Sequence, residues 1–291
     1  MKKALVKSMR LRTLPLSLAG VLCGGMLAVG GHGGSCWTLA LTLLTACALQ
    51  VLSNLSNEMG DHRSGVDGED RQGPAYGMAD GLTEKQMWQA INAAVVVCAA
   101  GGLSMLLVSF RLDVLNLQFL LMLLLGAAAI WAATHYTLGR NPYGYRGWGD
   151  VFVFLFFGLV SVAGSYFVVA HRLDGLLWRP ACGVGLLSVG VLNVNNIRDM
   201  ATDCGLRQTV PLRIGLRPAR WYQTLLVVAR GALLCAPPCY RWWMAVPAGC
   251  LAVHLWMVWT REGRGLDPAL PLLVVCTFLL SVLHALTIYG I

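Results

Sequence analysis

Charge is what this sequence holds least of. Only 12% of its 291 residues are charged, against roughly 25% in an average soluble domain, while 57% are hydrophobic. So few charges cannot cover a soluble surface, which excludes an ordinary cytosolic enzyme, a disordered chain and a collagen-like fibre. Acidic residues are scarcest: 14 Asp and Glu stand against 22 Lys and Arg, a net charge of +8. None of the ten cysteines forms a Cys-x-x-Cys pair, and the six histidines are scattered singly. A zinc site or a disulfide framework is therefore not expected. The apolar/polar alternation of a transmembrane β-barrel is also missing.

What is there is a series of apolar runs. Nine spans are expected, at Leu14–Gly30, Trp37–Asn57, Met87–Ser109, Leu115–Thr134, Gly149–Ala170, Pro180–Asn196, Trp221–Ala236, Trp243–Thr260 and Pro268–Gly290. Most have the length that a hydrocarbon core requires, and they are apolar on every face, so the expected fold is an all-α, polytopic membrane protein. The basic, then apolar N-terminus reads as a retained first helix, because further spans follow. With the N-terminus in the cytosol, 17 of the Lys and Arg fall on the cytosolic side and four on the other: Arg111, Arg172, Arg179 and Arg241. Arg230 lies within the seventh span. This bias predicts the N-terminus inside and the C-terminus outside. A basic face beside anionic lipid accounts for the net charge, with no nucleic acid needed. One domain over residues 1–291 is expected, its helices arranged around a central cavity.

The carboxylates are unevenly spread. Twelve of the 14 fall on the cytosolic side, and seven of those crowd into Glu58–Glu84. Acidic residues have little topological effect. Two clusters stand at span ends beside Asn: Asn57, Glu58, Asp61, Arg63, Asp67, Glu69, Asp70 and Arg71; and Asn195, Asn196, Arg198, Asp199 and Asp203. Asn57 and Asp61 share a helix face, and Asn195, Asp199 and Asp203 form an i, i+4, i+8 stripe. One such cluster alone reads as helix capping. Two matching clusters at the same membrane face read as two facing sets of hard oxygen ligands. These suit Mg²⁺ shared with phosphate oxygens, with Arg63, Arg198, Arg207 and Lys85 holding the remaining phosphate charge.

These clusters resemble the aspartate-rich motifs of the UbiA superfamily of intramembrane prenyltransferases, most closely the branch that acts on 1,4-dihydroxy-2-naphthoate in menaquinone synthesis. The resemblance covers nearly the whole chain. Arg10-Leu-Arg-Thr13-Leu-Pro15 is similar to the branch's opening motif, and Leu52–Asn57 through Asp61 and Asp67 to its first, with the Asp-x5-Asp spacing. Tyr136–Tyr145 followed by Gly149-Asp150 is similar to its central loop, Leu192–Asp203 to its second motif, and Arg207-Gln-Thr209 with Arg213-Ile-Gly215 to its tail. Three features depart from the pattern. Glu58 stands where Asp is usual, Cys204–Arg207 is one residue short, and Arg207 replaces a Lys.

The resemblance implies transfer of a polyprenyl chain from its diphosphate to dihydroxynaphthoate. Carbon dioxide and diphosphate are lost, and a demethylmenaquinol forms at a bacterial inner membrane, with the site toward the cytosol. It implies Mg²⁺ held by Asp61, Asp67, Asp199 and Asp203. Asn57, Asn195 and Asn196 join the substrate site. An anionic acceptor needs a cation, for which Arg10 and Arg140 are candidates; both also fit the positive-inside pattern. Tyr136, Tyr143 and Tyr145 fit either a water-excluding cap or an interfacial belt. Asp150 fits either a helix N-terminal charge or a site residue. The alternatives are another aromatic acceptor, such as 4-hydroxybenzoate or homogentisate, or a transporter of amphipathic anions. Transporter sites lie near the midplane on broken helices, whereas these clusters sit at span ends.

Overall fold

The computed structural model describes residues 2–65, 74, 76–234 and 242–288, and within them every regular element is a helix. Asp67, Glu69, Asp70 and Arg71 lie outside the described residues. The helices are α1 (Lys2–Ser8), α2 (Leu14–His32), α3 (Cys36–Ser64), α4 (Glu84–Ser109), α5 (Leu117–His135), α6 (Gly149–Val153), α7 (Ser165–Ala170), α8 (Trp178–Arg198), α9 (Met200–Asp203), α10 (Val210–Ile214), α11 (Leu216–Leu234), α12 (Ala245–Thr260) and α13 (Ala269–Ile288). A stretch of π-helix, Phe154–Gly164, joins α6 to α7 without a break in direction, so the three form one pass over Gly149–Ala170.

Local chemistry sets the helix starts. The Ser35 hydroxyl accepts from Thr38 N–H at the head of α3. Thr83 and Gln86 form a reciprocal capping box at α4. Asn116 accepts from the N–H groups of Gln118 and Phe119 at α5. Gly65, at φ 76°, closes α3 in the left-handed region that glycine enters without strain. Helix α3 therefore runs to Ser64, seven residues past the expected end at Asn57, and takes Asp61 into its last turns.

Two helices are wrapped by the rest. Helices α2 and α8 are small-residue helices that neighbours approach closely, as membrane helices do without a hydrophobic force between them. Ala19, Cys23, Ala28, Val162, Tyr166, Ala181, Val184 and Ala285 form their shared core. A Cβ on Gly158 would meet Gly185 Cα at 2.6 Å, so the π-helical stretch and α8 touch backbone to backbone. Helices α3, α4 and α5 pack through Leu52, Leu55, Met59, Met87 and Ile91, and expose Leu120, Leu121, Leu124 and Val96 outward, as lipid-facing helices do. In the far half a buried polar chain ties four helices. Asn193 donates to Ala219 O and to Gln223, Gln223 donates to His254 Nε2, and His254 Nδ1 donates to Ala269 O. Unpaired polar groups are costly in a membrane, and this chain links each member to the next in series, with the Asn193 Oδ1 as the one atom of it buried without a partner.

Eight helical stretches among the described residues are long and apolar enough to cross a membrane, not the nine expected. The expected span at Trp221–Ala236 is the exception. Helix α11 forms there with 19 residues and packs on α8, but it carries Arg217, Arg220 and Arg230. Arg217 and Arg220 precede the expected span, within which Arg230 is the single charge and residues 235 and 236 lie outside the described residues. The chain is a multi-pass helical membrane protein.

Gly158→Ala is expected to separate the π-helical stretch from α8. Overpacking a tight contact costs about 1–3 kcal/mol, so the thermal unfolding midpoint in detergent should fall by several degrees, with helical content unchanged.

Candidate active site

The two acidic segments meet at one end of the bundle. Helix α3 delivers Asp61, which is 6% exposed, and the turn after α8 delivers Asp203, 2% exposed. Between them lies Arg207, with Nη2 3.4 Å from Asp61 Oδ1 and Nε 3.1 Å from Asp203 Oδ1. The Nε contact is electrostatic rather than a formed hydrogen bond. Tyr145 donates to Asp61 Oδ1 at 2.8 Å and lies 2.9 Å from the Ser64 hydroxyl, and the Arg207 guanidinium rests 5.4 Å from the Tyr145 ring centre.

The electrostatics follow from this crowding. Burial, then the like charges of Asp199 and Asp61, push the Asp203 carboxyl up to about 6 against the opposing pull of Arg207. Burial disfavours the Arg207 cation, yet Asp61 and Asp203 hold it above its ordinary value. Burial and the Asp61 charge push the Tyr145 phenol up, which keeps it a donor. One guanidinium thus serves two buried carboxylates with a third near by, and excess negative charge remains. The donors are all hard oxygens. A divalent cation of the Mg²⁺ type fits that arrangement. Among the described residues, no three His, Cys, Asp or Glu side chains already converge as a ligand set.

The second acidic segment departs from the expected continuous stripe. Helix α8 ends at Arg198, and Asp199 leaves helical geometry before α9 begins. Arg198 captures Asp199 with two hydrogen bonds of 2.8 and 2.7 Å, and also reaches Asn195 and Asp267. Asn195 and Asp199 therefore turn to Arg198 while Asp203 turns to Arg207. The reason is local: an arginine adjacent in sequence, 5% exposed, needs a carboxylate in a dry place.

The other expected residues are dispersed. Asn57 accepts from the Thr137 hydroxyl at 3.3 Å, and Asn196 is buried beside Asn195. Arg63 pairs with Glu84 and lies over Trp88 on the exposed rim, with Lys85 exposed next to it. Arg140 is exposed on the loop after α5. Tyr136 and Tyr143 meet edge to face, Tyr143 stacks on Phe152 at 3.9 Å, and its hydroxyl donates to Ala132 O. Of the three tyrosines, only Tyr145 reaches a site carboxylate by hydrogen bond.

Arg10 takes a left-handed backbone (φ 48°) and lies flat on the Tyr76 ring at 3.7 Å. Its Nε and Nη2 are buried without hydrogen-bond partners. Asn54 fixes this segment by donating to Met9 O and to the Thr13 hydroxyl, and Gln50 donates to the same hydroxyl. Sequence reading missed Tyr76, which also accepts from Arg12. It missed as well the task of Glu58: this fully buried carboxylate accepts from Met78 N–H and pins the 76–82 loop to α3. No periodicity marks a loop residue whose partner is remote in sequence.

A bundle of apolar helices, with buried acidic side chains and a shared arginine at one end, defines a helical membrane protein with a polar, charged candidate site. Comparison with known proteins is specific. Residues 17–268 match the UbiA prenyltransferase family, and the chain belongs to it. It is similar to the 1,4-dihydroxy-2-naphthoate octaprenyltransferase of Escherichia coli strain K12, 41% identical over 80% of this chain and 75% of that one. It is similar to the Haemophilus influenzae protein of the same name, 34% identical over 95% and 92%. The backbone resembles that of a UbiA homologue from Aeropyrum pernix, with TM-score 0.68 and 15% identity over 96% of this chain and 98% of that one. It also resembles a UbiA homologue from Archaeoglobus fulgidus bound to DMAPP and Mg²⁺, with TM-score 0.62 and 15% identity over 98% and 100%.

Removing one partner of a buried ion pair costs about 3–5 kcal/mol. Arg207→Gln should therefore destabilise the protein sharply, and Asp61→Asn added to it should recover part of the loss. A double-mutant cycle on thermal unfolding measures that coupling.

Proposed function

We propose that this protein transfers a polyprenyl chain from polyprenyl diphosphate to 1,4-dihydroxy-2-naphthoate, releasing diphosphate and carbon dioxide and giving a demethylmenaquinol for menaquinone synthesis. The observation that carries the reading is Arg207 held between Asp61 and Asp203, in a chain 34–41% identical to the two enzymes named above. The cofactor is Mg²⁺, held by Asp61 and Asp203 with Asp67 and Asp199 completing the set. When bound, it neutralises charge on the leaving diphosphate. The excess of Lys and Arg at this end of the helices supports a cytosolic site in a bacterial inner membrane.

The chain's own residues suggest the division of labour. Arg207 is loosely held, at 3.1 and 3.4 Å, and is free to follow phosphate oxygens as negative charge builds on them. Tyr145 keeps Asp61 oriented. Arg198, saturated by Asp199, Asn195 and Asp267, fixes the end of α8 rather than binding phosphate. Arg10 carries two buried, unmatched N–H groups and is the cation for the acceptor carboxylate. Its flat contact with Tyr76 holds the guanidinium plane in place. The Tyr136–Tyr143–Phe152 wall beside the acidic end keeps water from the allylic cation. Attack comes from the ring carbon that bears the carboxylate; loss of carbon dioxide then restores the aromatic ring.

Purified protein with Mg²⁺, a short prenyl diphosphate and carboxyl-labelled dihydroxynaphthoate tests the reaction. Label should leave as carbon dioxide one-for-one with prenylated product, and excess EDTA should stop turnover. Label retained in the product contradicts the decarboxylative route, and preference for 4-hydroxybenzoate contradicts the acceptor. Asp61→Asn, Asp67→Asn, Asp199→Asn and Asp203→Asn should each remove most activity from folded protein. Arg10→Ala should raise the acceptor KM more than the prenyl diphosphate KM.

A further inference from the structure

Nearly every described carboxylate at the acidic end of the bundle holds a Lys or Arg, from Asp61 on Arg207 to Glu262 on Arg220. Two do not. Glu58 is committed to the Met78 N–H. The other is Asp150, half-buried in the first turn of α6, whose hydrogen-bonding side chain is Tyr222 of α11, with Oη 3.0 Å from Asp150 Oδ2. A carboxylate without a cation in a membrane bundle is expensive, and such groups mark function.

Asp150 also stands beside the site. The preceding residue, Gly149, has no side chain because the Tyr136 hydroxyl occupies the space; a Cβ there would lie 3.1 Å from it. Tyr136 in turn interacts electrostatically with Asp150, Asp61, Asp203 and Arg207. Glu58 keeps a second oxygen, Oε2, buried without a partner, but its Oε1 is held by a backbone N–H; Asp150 is the one described carboxylate at this cluster paired with neither a cation nor a backbone N–H from another element.

Resting on the acceptor assigned above, we propose that Asp150 is the base that takes the acceptor's hydroxyl proton and later returns it, with Tyr222 as its positioning residue. The bookkeeping closes. As the carboxyl-bearing ring carbon bonds to the allylic carbon, the C–O bond to diphosphate breaks and its electron pair leaves with the diphosphate. The neighbouring hydroxyl becomes a carbonyl, and its proton passes to Asp150. The resulting β-keto carboxylate loses carbon dioxide, and the released pair forms an enolate. The enolate oxygen takes the proton back from Asp150 and the ring is aromatic again. No net proton is consumed and no outside reagent is required. The other nearby groups cannot do this: Asp61 and Asp203 are bound to Arg207, Asp199 to Arg198, and the Tyr145 phenol is a committed donor.

The test uses the full-length protein with Mg²⁺, a prenyl diphosphate, and dihydroxynaphthoates whose ring substituents vary the acidity of the hydroxyl. Asp150→Asn should lower kcat by about 10²–10⁴-fold, the usual range for loss of a general base, with the prenyl diphosphate KM unchanged. The loss should shrink as the acceptor hydroxyl becomes more acidic, because an acidic hydroxyl needs a base less. Tyr222→Phe should show a smaller loss with the same trend, and Asp150→Glu should recover part of the rate. If Asp150→Asn does not fold, Tyr222→Phe, which removes only a hydroxyl, carries the same comparison. Wild-type kcat in these variants, or an equal loss across the acidity series, overturns the proposal. The acceptor assignment fails separately, if the wild-type protein does not convert dihydroxynaphthoate.

Discussion

The shared guanidinium of Arg207 is the contact on which the active end of this molecule depends. Asp61 arrives from the last turns of α3, and Asp203 from the single turn after α8. Both are buried, and two buried like charges cannot stand together without a cation. Arg207 supplies one positive charge for two negatives, at distances long enough that neither pair is tight. The site is thus held together and left short of positive charge at the same time. A cation-dependent enzyme for an anionic leaving group needs both conditions.

The rest of the architecture serves that meeting. Small residues let α2, the π-helical stretch and α8 approach at backbone distance, which fixes where α8 ends. Arg198 then anchors that end to the loop before α13 through Asp267. On the other side, α3 is long enough to carry Asn54, Glu58 and Asp61 on successive turns, each with a different task. Asn54 holds the Arg10 segment, Glu58 the 76–82 loop, and Asp61 the shared arginine. Lys7–Asp80 and the stacking of Arg10 on Tyr76 close the same loop over the N-terminal segment. One helix therefore arranges both the Asp61–Arg207 cluster and the Arg10 segment.

Much of this was legible in the sequence, for a physical reason. Hydrocarbon imposes length and apolarity on every span, so the runs between Leu14 and Gly290 read directly, and Gly149–Ala170 was placed to the residue. The clustering of carboxylates at span ends was equally visible, because charge there is costly. Helix α11 was less legible: the expected span Trp221–Ala236 falls within a helix that begins at Leu216 and takes in Arg217 and Arg220 as well as Arg230. Partner choice was not legible at all. That Asp199 would turn to Arg198, that Arg63 would pair with Glu84, and that Tyr76 would carry Arg10 depend on contacts between separate elements, which no spacing encodes. Asp150 could be read either as a helix-start charge or as a site residue, and its partner Tyr222, with no cation paired to it among the described residues, shows only in the structure.

The central claim is that Asp61 and Asp203 form one divalent-cation site with the prenyl diphosphate. Electron paramagnetic resonance of Mn²⁺ titrated into the purified protein with a prenyl diphosphate measures this directly. The account predicts stoichiometric Mn²⁺ binding that needs the diphosphate for full affinity and is lost in both Asp61→Asn and Asp203→Asn. Undiminished Mn²⁺ binding in either folded variant would contradict it.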